Sequence, residues 1–212
     1  MENANARKNG NAVLLLVQLA ILVGIEVIIA FTSLGSIQIG PIPATLAHIP
    51  VILAAVVLGV GAGTFMGFVF GLLSCIWWTI YQYPTAFIFT PFAETGNFYS
   101  LIVCFVPRIL LGLVCAILVR AFMKFDKKGY IAIPLAALLS TLMHTVFVMT
   151  GVYIFFGADS LSALFNDELS KGVTNFILVT VGTNGMLEAV IAIVFALAFA
   201  KALPALKKYM KK

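Results

Sequence analysis

Charge is what this sequence has least of. Only 10% of its 212 residues are Asp, Glu, Lys or Arg, against about 25% in an average soluble domain. A chain so poor in charge cannot coat a surface that faces water, which excludes a soluble catalytic domain. The net charge of +5 does not point to nucleic acid either, because the basic residues stand at the ends of apolar runs and form no polar patch interleaved with aromatics. The three cysteines, Cys75, Cys104 and Cys115, all fall inside apolar runs without CxxC spacing, which argues against a disulfide framework and a metal site and leaves them as packing residues.

Catalytic motifs are missing as well. The glycine cluster GVGAGTFMG at Gly59–Gly67 carries no lysine, so the phosphate-binding GxxxxGK[ST] loop of an ATPase is absent. No HExxH occurs, Ser74 in GLLSCIWW has no nucleophile-elbow context, and no two carboxylates stand at short spacing for acid–base work. No cofactor is implied. A small intramembrane enzyme survives only as an alternative with an atypical site. There is no internal repeat, which argues against a transporter built from inverted halves.

What is present is hydrocarbon. Hydrophobic residues make up 62% of the chain and the mean hydropathy is +1.12. Six apolar runs, approximately 12–32, 44–59, 62–81, 99–122, 129–156 and 173–203, approach the length of about 20 residues that a membrane span needs. The expectation is an all-α integral membrane protein, one six-helix bundle forming a single membrane-embedded domain over 1–212. The first run is too long for a signal-peptide core and lacks a small-x-small cleavage site.

An even number of spans puts both termini on one side of the bilayer. That side collects Arg7, Lys8, Arg120, Lys124, Lys127, Lys128, Lys201, Lys207, Lys208, Lys211 and Lys212, whereas the opposite loops hold Lys171 against Glu94, Asp159, Asp167 and Glu168. Positive charge stays inside. The termini are therefore expected in the cytoplasm, and the longer loops 33–43, 82–98 and 157–172 outside. The first of these, SLGSIQIGPIP, has prolines and glycines that forbid a continuing helix; the second, QYPTAFIFTPFAETGNF, is aromatic and punctuated by proline. Such structured outer loops suit lids.

Glu26, Arg108 and Glu188 lie within apolar runs, and His48 and His144 within or beside them. A charge at the bilayer centre costs about 2.5–3.5 kcal/mol on insertion scales, so each needs a partner or a wet cavity. At about 1.5 Å of rise per residue, Arg108 sits roughly 13 Å below the helix start at Tyr99, close to mid-membrane. Two readings stand: an ion pair with Glu26 or Glu188, or a ligand reached from outside. Thr180, Asn184 and Glu188 recur every four residues on one helix face, and Thr141, His144, Thr145 and Gly151 share another. Gly63, Gly67 and Gly71 make a small-xxx-small ridge, and Ala20 and Gly24 a shorter one, both suited to close helix approach.

The block LGSIQIGPIPATLAHIPVILAAVVLG, Leu34 to Gly59, and VPRILLG, Val106 to Gly112, resemble the substrate-binding S-components of energy-coupling factor (ECF) vitamin transporters, in the branch assigned to pantothenate and related vitamins. The resemblance covers nearly the whole chain. It implies capture of a vitamin from outside, with a transmembrane coupling subunit and two cytoplasmic ATPase subunits as partners. The family's AxxxA docking motif corresponds here to Ala20 and Gly24, with glycine for the second alanine. For pantothenate, Arg108 would take the carboxylate, Asn97, His144 and Asn184 the hydroxyls and amide, and Tyr83, Phe92 and Phe98 would close over the apolar middle. The alternative ligand is hydroxymethylpyrimidine or a pyridoxine-like ring, stacked on Trp77, Trp78 or Tyr81.

Overall fold

The computed structural model describes residues 2–32, 35, 37, 42–162 and 177–210, with side chains over 12–156 and 177–202 of that set. The element order is α1 (Glu2–Ala30), α2 (His48–Val57), α3 (Val60–Tyr81), a short 3-10 turn (Ala86–Ile88), α4 (Tyr99–Phe122), α5 (Ala132–Ser162), a π turn (Val181–Gly185) and α6 (Met186–Met210). Among the described residues five helices are long and apolar enough to cross a bilayer. The helix α2 has ten residues, about 15 Å of rise, half of a hydrocarbon core of about 30 Å.

The helix boundaries differ from the apolar runs for local reasons. The expected second helix, 44–59, is shorter because Ala44 pairs with Ile37 in an antiparallel bridge, with backbone bonds of 2.8 and 2.9 Å. Thr45 Oγ1 accepts the Ala47 N–H at 3.0 Å in the turn just before the helix, which begins at His48. Beyond its C-cap Leu58 stands Gly59, with φ of +89°, a conformation that costs a residue with a Cβ. Only Leu58 and this glycine separate α2 from α3. The polar N-terminal stretch is helical from Glu2 onward, where the sequence suggested a lead-in to the first span. The expected connection 157–172 is helical through Ser162; its remainder, with Asp167, Glu168 and Lys171, lies outside the described residues, as does most of the stretch 33–41.

Between α3 and α4 the backbones meet directly. A Cβ added at Gly67 would collide with the carbonyl of Arg108, one at Gly63 would come within 2.8 Å of Gly112 O, and one at Gly71 within 2.9 Å of the Phe105 ring. The expected ridge is therefore an α3–α4 packing surface, and it sets the height of Arg108 against α3.

Three buried clusters fill the bundle. One gathers Trp77, Trp78, Phe87, Ile88 and Phe89 with Val103, Cys104, Val148 and Val152. A second packs Ala192, Ala196 and Ala200 of α6 on Ile133, Ala136 and Ala137 of α5. The third joins Leu22 of α1 to Ala47, Val51, Met66 and Leu111. The second cluster brings the end of α6 beside the start of α5, so Lys201 and the turn holding Lys124, Lys127 and Lys128 share one end of the bundle.

That turn is organised by Asp126. Its carboxylate accepts N–H bonds from Ile131 (2.7 Å), Ala132 (3.0 Å), Gly129 (3.1 Å) and Lys128 (3.2 Å). The donors of Ala132 and Ile131 foremost hold its pKa below the usual carboxylate value. A carboxyl whose native pKa is depressed contributes stability above its unfolded value and loses it as pH falls through the native one. We expect Asp126→Ala to lower the melting temperature at neutral pH, with the gap to wild type closing on acidification. A gap that stayed constant with pH would remove the carboxylate from this account.

Candidate functional site

The connection between α3 and α4 is where the bundle departs most from a simple row of spans. Its 3-10 turn dives inward, so that Ala86, Phe87, Ile88, Phe89 and Thr90 are all buried. Hydrogen bonds pin it from two sides: Ser100 Oγ donates to Phe87 O at 2.6 Å, and the hydroxyls of Thr79 and Thr90 lie 2.6 Å apart. Phe89 stacks on Trp78 at 4.9 Å.

Beneath this plug lies a cavity of about 90 Å³, room for about six to nine waters at roughly 10–15 Å³ of such space each. Helix α3 contributes Phe70, Ser74, Trp77 and Trp78; the stretch before α2 contributes Pro43, Thr45 and Ala47; and α5 contributes His144, Thr145 and Met149. Thr180, Asn184, Gly185 and Glu188 line the side of α6, with Arg108 from α4 and Phe89 from the plug.

The π turn explains how one face of α6 supplies so much. Four residues of a 3.6-residue helix overshoot a full turn by about 40°. An unbroken helix would therefore carry the row Thr180, Asn184, Glu188 sideways. A π turn takes more residues and works against that drift. Spanning Val181–Gly185, it leaves all three side chains buried and in the cavity wall.

Arg108 is 6% exposed. Its Nη1 donates to Val103 O at 2.7 Å, and its guanidinium carbon stands 4.8 Å from the Phe89 ring centroid and 5.6 Å from that of Phe70, within cation–π range. Neither intramembrane glutamate pairs with it: among the described residues no carboxylate oxygen lies within 4.0 Å of its nitrogens. Glu188 Oε1 instead accepts the Thr45 N–H at 3.0 Å, tying α6 to the entrance of α2. Glu26 is fully buried with neither oxygen partnered in the protein, away from the cavity wall.

Four polar atoms of the wall are buried without a protein partner: Arg108 Nε, His144 Nε2, Thr180 Oγ1 and Asn184 Nδ2. Buried polar groups are ordinarily hydrogen-bonded, and four unpartnered ones on residues lining one cavity call for a ligand or water. Two of the four are fixed donors, one of them on a cation. The wall is chemically suited to an anionic head and a short polar body, with Trp77, Trp78, Phe70 and Phe89 offering apolar faces.

Of the residues singled out from the sequence, Arg108, His144 and Asn184 meet in this wall. Asn97 stands at the head of α4, its Oδ1 accepting the Tyr99 N–H at 2.9 Å. Tyr83 stacks on Trp77 at 5.4 Å, one layer behind the wall. Phe92 and Phe98 are 74% and 83% exposed. Sequence reasoning passed over Phe89, Phe70 and Thr45. The aromatic richness of 82–98 was visible, but nothing local marks which of its phenylalanines turns inward.

Residues 14–199, which include every side chain of the wall, match the family described as ECF transporter, substrate-specific component. The chain belongs to this family. This S-component is also 32% identical over 192 residues to the pantothenic acid transporter PanT of Lactococcus lactis subsp. cremoris (strain MG1363), an alignment covering 87% of the present chain and 91% of that protein. The family is one of transporter components, and the apolar helices of this S-component make it a membrane protein. The match takes in the π turn and the buried plug alike.

Proposed function

We propose that this S-component captures pantothenate from outside the cell for ATP-driven uptake by partner subunits. The observation that carries the reading is the cavity wall, where a buried guanidinium with no carboxylate within pairing distance among the described residues stands with three other unpartnered polar groups. A carboxylate answers the guanidinium by a two-pronged, charge-assisted bond, and hydroxyls and an amide answer His144, Thr180 and Asn184. The relative named as a pantothenic acid transporter supports the same ligand. Tyr83, Phe92 and Phe98 belong in this proposal to the outer lid over the plug, and Asn97 to the loop that positions it.

The proposed setting is one membrane-embedded domain over 1–212 in a plasma membrane, with α2 counted as the sixth, half-length helix and both termini in the cytoplasm. The positive end of the bundle, with Arg120, Lys124, Lys127, Lys128 and Lys201, then faces inward. The partners are a transmembrane coupling subunit and two ATPase subunits. Docking is assigned to Ala20 and Gly24: Ala20 is exposed and a Cβ at Gly24 would touch nothing within 4 Å. Ala20→Trp and Gly24→Trp are expected to abolish uptake and complex assembly while leaving ligand affinity intact. Normal uptake by both variants would move the docking surface elsewhere.

One observation favours a second ligand class. Trp77 and Trp78 stand in the wall, and an aromatic ring such as hydroxymethylpyrimidine or a pyridoxine-like vitamin would stack on them. Equilibrium binding of radiolabelled pantothenate to the purified protein, with both ring compounds as competitors, tests the proposal. Saturable pantothenate binding that the rings fail to displace is expected; displacement by a ring compound at lower concentration than pantothenate itself would reassign the ligand.

A further inference from the structure

In the segment CFVPRILLG the charge is preceded by a proline in the interior of an unbroken helix, α4. Proline has no N–H, so the carbonyl four residues earlier loses its helical donor. Here that carbonyl is Val103 O, and it is the group to which Arg108 Nη1 donates at 2.7 Å. The arginine repairs the break made by its own neighbour. In a membrane-embedded helix this repair has weight, because no water stands by to satisfy a freed carbonyl.

The bond does more than satisfy Val103. It ties one corner of the guanidinium to the helix that carries it, while Phe89 and Phe70 stand at 4.8 and 5.6 Å from its central carbon. With Nη1 engaged and Nε unpartnered, the side left for a ligand is the edge formed by Nε and Nη2. That edge has two parallel N–H groups, the geometry a carboxylate takes with two prongs. An arginine on an ordinary helical turn would find no free carbonyl five residues back.

We infer that Pro107 is a positioning residue of the binding site: it frees Val103 O to hold Arg108 Nη1, which presents the Nε–Nη2 edge to the ligand carboxylate. The inference rests on the proposed role of Arg108, and the experiment separates the two. Restoring an N–H at position 107 gives Val103 O its helical donor back, releases Nη1 and lets the guanidinium rotate. Pro107→Ala is thus expected to raise the melting temperature of the ligand-free protein, since interior proline is unfavourable in a helix, and to weaken pantothenate binding by about tenfold. A purely structural role for the proline would move stability and affinity together.

Pro107→Gly serves as a second variant, restoring the same N–H with different packing, and is expected to weaken binding at least as much. In an Arg108→Ala background, Pro107→Ala is expected to change affinity by less than about twofold. Unchanged affinity in folded Pro107→Ala, alongside weakened Arg108→Ala, would overturn the positioning role alone. An equal loss from Pro107→Ala with and without Arg108 would overturn it too. Unchanged affinity in Arg108→Ala would take down the carboxylate reading and this inference with it.

Discussion

Replacing Arg108 by alanine is expected to weaken pantothenate binding by about 100-fold or more, without unfolding the protein. Hydrogen bonds to a charged group contribute about 1.5–3 kcal/mol each, and two of them correspond to about two or more orders of magnitude in affinity. The fold should survive, because neither glutamate of the membrane region is directly paired with this cation: Glu188 is bonded to Thr45 and Glu26 lies outside the cavity wall. What the change leaves behind is the Val103 carbonyl without its donor, a local cost. Arg108→Lys keeps the charge but loses the planar fork, so its affinity should stay at least about tenfold below wild type. Radioligand binding beside thermal melts of the same preparations checks both. Wild-type affinity in folded Arg108→Ala would end the carboxylate role. Destabilisation by Arg108→Ala and Glu188→Ala singly, cured in the double variant, would restore the internal ion pair instead.

One added methyl group should have opposite consequences at two glycines. At Gly67 a Cβ would run into the carbonyl of Arg108, where backbone stands against backbone and no flexible side chain can yield. Gly67→Ala must push α3 and α4 apart, and overpacking of this kind costs about 1–3 kcal/mol. Displacing α4 also moves Arg108 in the cavity wall, so affinity should fall with stability, by about tenfold or more for a misplaced charged contact. At Gly24 the same methyl meets nothing within 4 Å. There alanine should leave both melting temperature and ligand affinity as they are, or raise stability by lowering the unfolded chain's freedom. Melting curves and binding isotherms for the pair check this, and a Gly67→Ala protein as stable as wild type would mean that the helices separate at no cost.

Much of this molecule was legible in its composition and periodicity. The near absence of charge outside loop ends dictates a membrane solvent, and the apolar runs mark the helices α3 and α4 to within a few residues of where they lie. A regular spacing of four on α6 marked the polar face, and the stripe on α5 its counterpart, because both patterns are local properties of one helix. The small-xxx-small ridge read correctly for the same reason. Local rules failed where the chain leaves a helix. Phe89, Phe92 and Phe98 look alike in sequence, yet the first is buried against Arg108 and the other two are exposed. Asn97 accepts the Tyr99 N–H at the start of α4, a placement no local pattern marks.

By itself, then, the sequence determined that this protein dissolves in a bilayer, where its apolar helical runs lie, which runs' ends carry the positive charge and that one arginine there demands an explanation. These follow from hydrophobicity and helical geometry, which act over a turn or two. Tertiary structure alone decided what surrounds that arginine. Which helices face one another, and which loop residue plugs the space between them, depends on packing between segments far apart in the chain, and a charge at known depth has no neighbours until the helices are rotated into place. In this fold Glu188 shares the cavity wall with the guanidinium but is bonded to Thr45, Glu26 lies outside that wall, and a carbonyl released by the adjacent proline takes one of the guanidinium nitrogens.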